Sequence, residues 1–580
     1  MELFDIVEPD LHWIAGGDVM KASRFSSSAS ENDALMEEPS KTQLEQADTR
    51  GVAKSGIVRE IPDKAAVLVG PTRARSCYPL LKAPEHIFGG QQTAEEQTHS
   101  KLPAEECRHH TPADYRVSVK DVEAERPPRR VVFDSQDAPP SRRGMPGPNV
   151  DFVTGNPLPF YVPYSVHDKT AIFESRFESG NLRRATQIGP FEYELLVRTD
   201  VNTSGHMQWF YFSISNLTMG TTIQLNIVNM YKPNSLFSLG MKPLIYSNKR
   251  AAAHNIGWIR GGRNIKYYET QTSGYEGLYT LSFEFDVPEA DDVLYFAQCF
   301  PFTWSYQQNV LSEIIEKHAS KGIVKRELLC ESLNGNRCDV LTITDFNLEQ
   351  TSSLEQRSRP CVFLTARVHP GESNSSWIMK GIIDHLLGDS DVAKELRARF
   401  YFVLIPMLNP DGVINGNYRC NLAGFDLNRN WKSPDPTKHR PIFATKQLMQ
   451  SIQKSREILF FCDFHGHSAK HNVFMYGCET GSGPQRLMEK VFPCIMSRIA
   501  GESDSGPKHI PLLLFLTGVF SFGGSSFKMK KEKESTGRIV VRKQFNVTYS
   551  YTFEASFFGC DFGPHCGQHF SVEVSIFISS

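Results

Sequence analysis

The sequence predicts an α/β domain that follows an antiparallel β-sandwich, both behind a polar N-terminal tail. Three observations predict this. Residues 1–150 are rich in Ser, Glu, Gln, Pro and Arg and carry no sustained apolar period. From about Pro159 to Trp304, short runs of aromatic and β-branched residues are separated by turn residues. After Trp304, strand-like and helix-like segments alternate.

Each element has its own justification. The composition of residues 1–150 does not offset the entropy of ordering, so they read as a disordered tail. Arg126-Pro127-Pro128-Arg129-Arg130 and Pro139-Pro140-Ser141-Arg142-Arg143 read as solvated linker charges, with contact to an acidic surface as the sharper alternative. The sandwich is assigned to 151–304. Its strands are seeded by Gln208-Trp209-Phe210-Tyr211-Phe212-Ser213-Ile214, Ile223-Gln224-Leu225-Asn226-Ile227-Val228, the run 278–285 and the run 293–297. The α/β domain is assigned to 305–570. Its pattern predicts a helix over 305–318, a buried strand over 361–368 and a helix over 375–387 with Ile378, Ile382 and Leu386 on one face. It further predicts a strand over 400–406, a helix over 444–455 and a strand over 458–464. Ligands in such sheets bind at the carboxyl ends of the strands.

Bulk composition narrows the function classes. The chain has 580 residues, more than one domain normally holds. Lys and Arg number 63 against 65 Asp and Glu, so no global field draws it to nucleic acid or to an acidic membrane. No run reaches the ~20 apolar residues of a membrane helix. The acidic start Met-Glu-Leu-Phe-Asp does not read as a signal peptide. The 12 Cys are scattered, which points to a reduced, cytoplasmic compartment where the sequons at Asn202, Asn216, Asn374 and Asn546 go unused.

The chemistry concentrates at strand ends. His369-Pro370-Gly371-Glu372 follows the strand from Cys361. Imidazole nitrogen and carboxylate oxygen suit zinc, and a catalytic zinc takes three protein ligands and keeps one open position. The second strand, 458–464, runs into His465-Gly466-His467, which offers His465 as the third ligand while His467 points elsewhere. A His after a strand also serves as an ordinary turn residue, and His-x-x-Glu alone is a short pattern. Glu554, amid Tyr551, Phe553 and Ala555, is a candidate general base whose desolvation would raise its pKa; a Glu on the exposed face of a strand is the alternative. Arg419 and Arg429 lie in Asn-rich turns. Arg429 suits a fork to a carboxylate and Arg419 a developing oxyanion, or both are surface arginines.

These motifs stand in the order His369-Pro370-Gly371-Glu372, Asn417-Tyr418-Arg419, Asp426-Leu427-Asn428-Arg429-Asn430-Trp431, Asp463-Phe464-His465-Gly466-His467-Ser468, Tyr551-Thr552-Phe553-Glu554. The combination resembles the zinc metallocarboxypeptidases, and within them the cytosolic carboxypeptidase branch, the tubulin deglutamylases. The run Phe173 to Leu182, Trp209-Phe210-Tyr211-Phe212, Lys232-Pro233-Asn234-Ser235 and Phe300-Pro301-Phe302-Thr303-Trp304-Ser305 resemble that branch's sandwich module, and 531–538 resembles another of its segments.

The resemblance covers about 160–570. It implies a mixed sheet flanked by helices and one zinc ion on His369, Glu372 and His465. Glu554 is then the general base and acid, Arg419 polarises the scissile carbonyl, and Asn428 with Arg429 holds the terminal carboxylate. The implied substrates are C-terminal glutamates on acidic tails, those of polyglutamylated tubulin, met in the cytoplasm beside microtubules. A glutamate preference asks for a cation, with Arg538 and Lys543 as candidates against the alternative of two solvated charges. Two other readings compete: a related zinc hydrolase of acylated amino acids, and an inactive binding protein that recognises acidic tails. The family continues into a closing C-terminal helix, whereas residues 571–580 are β-branched and read as an atypical, truncated end. Losing such a helix would cost roughly several kcal/mol of apolar burial.

Overall fold

Two sheets of short strands face each other ahead of the α/β domain. The computed structural model describes residues 84–88, 129–135, 160–163, 165–351, 359–481, 483, 486–501, 518–563 and 565–572, all in the unit Glu60–Ser580. One sheet has the order β1 (Arg130–Asp134), β3 (Leu182–Gly189), β4 (Glu192–Val197), β6 (Thr222–Met230), β10 (Tyr279–Asp286), β9 (Arg263–Glu269). The other has the order β2 (Ile172–Glu174), β5 (Tyr211–Ser215), β11 (Leu294–Ala297), β7 (Leu244–Ser247), β8 (Ile259–Arg260). Phe173, Phe212, Phe283 and Phe296 are fully buried between them. Alternation of such residues with polar ones along each strand makes one face of each sheet apolar, and the two faces close on each other.

Two expectations are corrected here. The tail assigned to 1–150 contains β1, which pairs with β3, and Ile87 and Phe88 pack against buried clusters. Val132 and Phe133 are fully buried, so a short apolar run finds a sheet edge that its polar surroundings conceal. Residues 1–83, 89–128, 136–150 and 573–580 lie outside the described residues. The sandwich is also not wholly antiparallel, because β4 pairs with β6 in parallel. The chain crosses to the other sheet at β5 and returns in its former direction.

The α/β domain is built on a sheet of order β12 (Val324–Glu331), β13 (Arg337–Ile343), β15 (Tyr401–Ile405), β14 (Cys361–Ala366), β16 (Ile458–His467), β18 (Tyr549–Ser556), β17 (Val473–Tyr476). The four strands β15, β14, β16 and β18 are parallel, and the outer pairings are antiparallel. Both faces are covered. Leu364 and Ala366 of β14 meet Leu311 of α1 (Trp304–His318) and Ile378 and Ile383 of α2 (Ser373–Leu387). Cys361 and Phe363 meet Ile442 and Met449 of α3 (Arg440–Gln453) and Val540 and Val541 of α4 (Gly537–Gln544). Burial on both sides explains why β14 reads as a continuous apolar run.

From β14 the chain passes through α2 to β15 on one side. It then returns through α3 to β16 on the other. The carboxyl ends of β14 and β16 therefore flank a topological switch point, where α/β sheets bind ligands. Strand β16 runs past the expected end at Phe464 because β18 pairs with it as far as His467. Helix α3 begins earlier than the expected Ala444, since Pro441 is accommodated in a first turn.

Candidate active site

His369 and Glu372 sit on the turn that joins β14 to α2. Arg367 starts the turn in the left-handed region, φ 57°. Its buried guanidinium donates to Pro370 O (2.7 Å), Phe302 O (3.1 Å) and Ser376 Oγ (2.9 Å), which fixes the turn from behind. Gly371 is required there: a Cβ would come within 2.5 Å of the Tyr418 ring. Its N–H donates to Tyr418 O at 2.8 Å, so the turn carrying the ligands abuts the turn carrying Arg419. Glu372 is the first-turn neighbour of α2 and projects toward β16.

Three side chains converge. His369 Nδ1 lies 2.8 Å from Glu372 Oε1, and His465 Nδ1 lies 2.9 Å from Glu372 Oε2. All three residues are buried, and one donor atom from each falls within 4.8 Å of the others. The far nitrogens face carboxylates: His369 Nε2 is 3.1 Å from Asp426 Oδ1 and His465 Nε2 is 2.8 Å from Asp463 Oδ2. A carboxylate behind each ring selects the tautomer protonated on Nε2 and leaves Nδ1 as an electron-pair donor. Two imidazoles and one carboxylate so prepared fit zinc, with three protein ligands as a catalytic site requires.

The electrostatics follow the geometry. Burial would raise the Glu372 carboxyl, but the two imidazoles hold it well below the usual range. Burial would likewise raise Asp426, and Arg419 with His369 holds it well below. Glu554 behaves otherwise. It is the register partner of His465 across β16 and β18, and Phe553 and Ala555 on either side of it turn to the opposite face, into the core. Desolvation pushes its carboxyl up to about 7, against the pull of His465.

The cations come from separate loops. Arg419 donates to Asp426 Oδ2 from Nε at 2.8 Å, with Nη2 at 2.7 Å from the same oxygen. Arg429 is partly exposed, its Nη1 3.9 Å from that oxygen. Asn428 accepts from Gly537 N at 2.9 Å, and its Nδ2 lies 3.4 Å from His465 Nε2. Arg538, on α4, is buried. It donates from Nε to Gly477 O at 3.2 Å, lies 5.5 Å from the Tyr476 ring centre, and feels the charge of Glu554.

Lys543 is not brought to the site. Its exposed ammonium lies 3.4 Å from Glu534. The reason is helical: five residues along α4 from Arg538 turn a side chain to the far face.

Sequence reasoning missed three residues. Asp463 and His465 alternate on β16 and so share a face, a signal readable in the strand pattern. Asp426 precedes Asn428 and Arg429 in the same motif. Lys533 left no such signal. Its ammonium stands near Arg429 and Arg419, where burial and those two charges lower its pKa to about 8.

Comparison with known proteins gives the same picture. The zinc carboxypeptidase family matches residues 311–565, and the cytosolic carboxypeptidase N-terminal domain matches 173–261. Cytosolic carboxypeptidase 2 of Xenopus tropicalis is 44% identical over 403 residues, which cover 69% of this chain and 40% of that protein. Cytosolic carboxypeptidase 3 of Bos taurus is 42% identical over 424 residues, covering 73% and 40%. The chain thus spans about two fifths of the length of these relatives. Among solved structures, a metallo-carboxypeptidase of Burkholderia cenocepacia shares the fold with TM-score 0.54 and 21% identity, over 71% of this chain and 96% of its own. One from Pseudomonas aeruginosa gives TM-score 0.54 and 22% identity, over 70% and 96%. With both halves matched in order, the chain belongs to the zinc carboxypeptidase family, in the branch that carries the cytosolic carboxypeptidase N-terminal domain.

Proposed function

We propose that this chain is a zinc metallocarboxypeptidase that removes C-terminal glutamates, with polyglutamylated tubulin as its protein substrate and the cytoplasm, beside microtubules, as its place of action. The observation that carries the reading is the pairing of Glu554 with the converged ligand set, in the neighbourhood of four cations: Arg419, Arg429, Lys533 and Arg538. Cations in that neighbourhood suit a substrate with a free carboxylate and acidic side chains. The names of the relatives support a carboxypeptidase; the glutamate preference rests on the cations of this chain.

Held by His369, Glu372 and His465, zinc supplies Lewis acidity toward a carbonyl oxygen and acidifies water to a pKa of about 7. Asn428 and Arg429 hold the terminal carboxylate, which places the last peptide bond at the ligand set. Glu554, with its carboxyl at about 7, takes the proton of the attacking water and passes it to the leaving amine. Arg419 steadies the oxyanion that forms on the scissile carbonyl. Arg538 and Lys533 favour an acidic terminal side chain.

The test is release of glutamate from a peptide ending in several glutamates, by zinc-loaded protein beside its Glu554→Gln variant. Release by the wild type alone is the expected result. A folded protein with stoichiometric zinc that releases nothing overturns the reading in favour of a binding protein for acidic tails.

A further inference from the structure

The loop of the sandwich between β4 and β5 enters the α/β domain and ends on the turn that carries Arg419. There Asp200, 1% exposed, accepts three successive main-chain N–H groups: Tyr418 N on Oδ1 at 2.6 Å, and Arg419 N and Cys420 N on Oδ2 at 2.7 Å each. A carboxylate buried this deeply is costly unless it is fully hydrogen-bonded, and these three donors supply that bonding. Neighbouring residues grip the same turn. Val201 N donates to Asn417 Oδ1 at 3.3 Å, and Asn202 Nδ2 donates to Leu422 O at 2.6 Å. Lys232, also of the sandwich, donates to Tyr418 Oη and to Ser468 Oγ, each at 2.8 Å.

We propose that Asp200 is a positioning residue: through it the sandwich sets the main chain beneath Arg419, and so aims that guanidinium at the reacting carbonyl. The proposal rests on the role given to Arg419 above. Its substance is that the sandwich completes the active site and is more than a neighbour to it. Two anchors define where Arg419 points. Asp426 holds the guanidinium at one end, and Asp200 holds the backbone at the other. The same turn accepts from Gly371 N, so the grip extends to the turn that bears His369.

Asparagine at 200 keeps the shape and fails the chemistry. Whichever way its amide is turned, the NH2 group faces at least one N–H donor. A shift of the turn by about 1 Å is worth up to ~100-fold in rate. In the full chain loaded with zinc, Asp200→Asn is expected to lower kcat for glutamate release by about 10- to 100-fold, with KM changed by less than about twofold because Asn428 and Arg429 are untouched. The decisive readout is the double-mutant cycle with Arg419→Ala. In that background Asp200→Asn is expected to change kcat by less than about twofold, since there is nothing left to aim.

Independent, multiplying effects overturn the proposal, as does an unchanged kcat. In a variant that still folds, a loss of zinc content in proportion to the loss of kcat overturns it too. If Asp200→Asn does not fold, Asn202→Gly reads the same grip. It removes the amide that holds Leu422 O while suiting the local φ of 59°. A kcat lowered about threefold at constant KM is expected there on the same basis, and unchanged kcat overturns the proposal. Absence of release by the wild type overturns the reading of the function itself, and this proposal with it.

Discussion

His369 and Glu372 stand on the turn that joins β14 to α2, and His465 stands on the adjacent parallel strand β16, whereas Arg419, Arg429, Lys533 and Arg538 come from three separate turns and a short helix. In the first group both imidazoles lie within hydrogen-bond distance of Glu372, and each has a carboxylate behind it. In the second group exposure is graded: Arg538 is buried, Arg419 nearly so, Arg429 about one third exposed. The ligand set is a rigid object made by sheet register. The cations are gathered from turns and one helix, each held by something else. In the proposed mechanism, the chemistry that tolerates no displacement lies beside the strands, and selection among substrates lies on the peripheral turns and α4.

The largest expected effect belongs to the rigid half. Glu554→Gln is expected to lower kcat by at least ~1000-fold while zinc stays bound, because it removes the base and leaves the ligands intact. In the proposed mechanism Glu554 acts when ionised. Its carboxyl is half-protonated near pH 7, so kcat/KM is expected to fall about tenfold per unit below that pH and to level off above it. A pH–rate profile with its acid limb at the ordinary carboxylate pKa would show that desolvation of Glu554 is not used.

Next comes the support behind the ligands. Asp426→Asn is expected to weaken zinc binding about 10- to 100-fold, the usual result of removing a carboxylate behind a ligating imidazole. The variant keeps the side-chain oxygen that caps the turn at Leu427–Arg429, so the fold should survive. Competition with a chelator measures it. Equal affinity in the two proteins would mean that register alone orients His369.

The same contrast explains what was legible in the sequence. The β14 run ends in Ala366 and the ligands follow within six residues, so strand, turn and metal chemistry are all local there. His465 needed the further step that β16 lies beside β14, and alternation of strand and helix implies such a parallel pairing. β1 was hidden because its value lies in a distant partner, β3. Lys533 was hidden for a similar reason: a lysine in a charged turn looks solvated until the fold sets two arginines near it. The grip of Asp200 on residues more than two hundred positions away has no local signature at all.

Among the cations, the next effect in size is expected on α4. Arg538→Met fills a similar volume and removes the buried cation. Hydrogen bonds to charged groups are worth about 1.5–3 kcal/mol, so preference for a terminal glutamate over a terminal leucine should fall by roughly 10- to 100-fold. Comparison of kcat/KM on two peptides differing only in that residue decides it. An unchanged ratio would move the selecting charge to Lys533.

The smallest effect is expected at Lys543, and its smallness is informative. Arg538 and Lys543 share one helix and one sign of charge, and differ in face. Lys543 is solvated and spends its charge on Glu534 at 3.4 Å, an exposed pair of a kind worth about 0–1 kcal/mol. Lys543→Ala should therefore leave kcat/KM for both peptides within about twofold and shift the melting temperature little. If it lowered glutamate preference as much as Arg538→Met, selection would reside in the summed field of α4. If Arg538→Met acts alone, a single buried guanidinium does the selecting, and the face of a helix, not its net charge, sets the specificity.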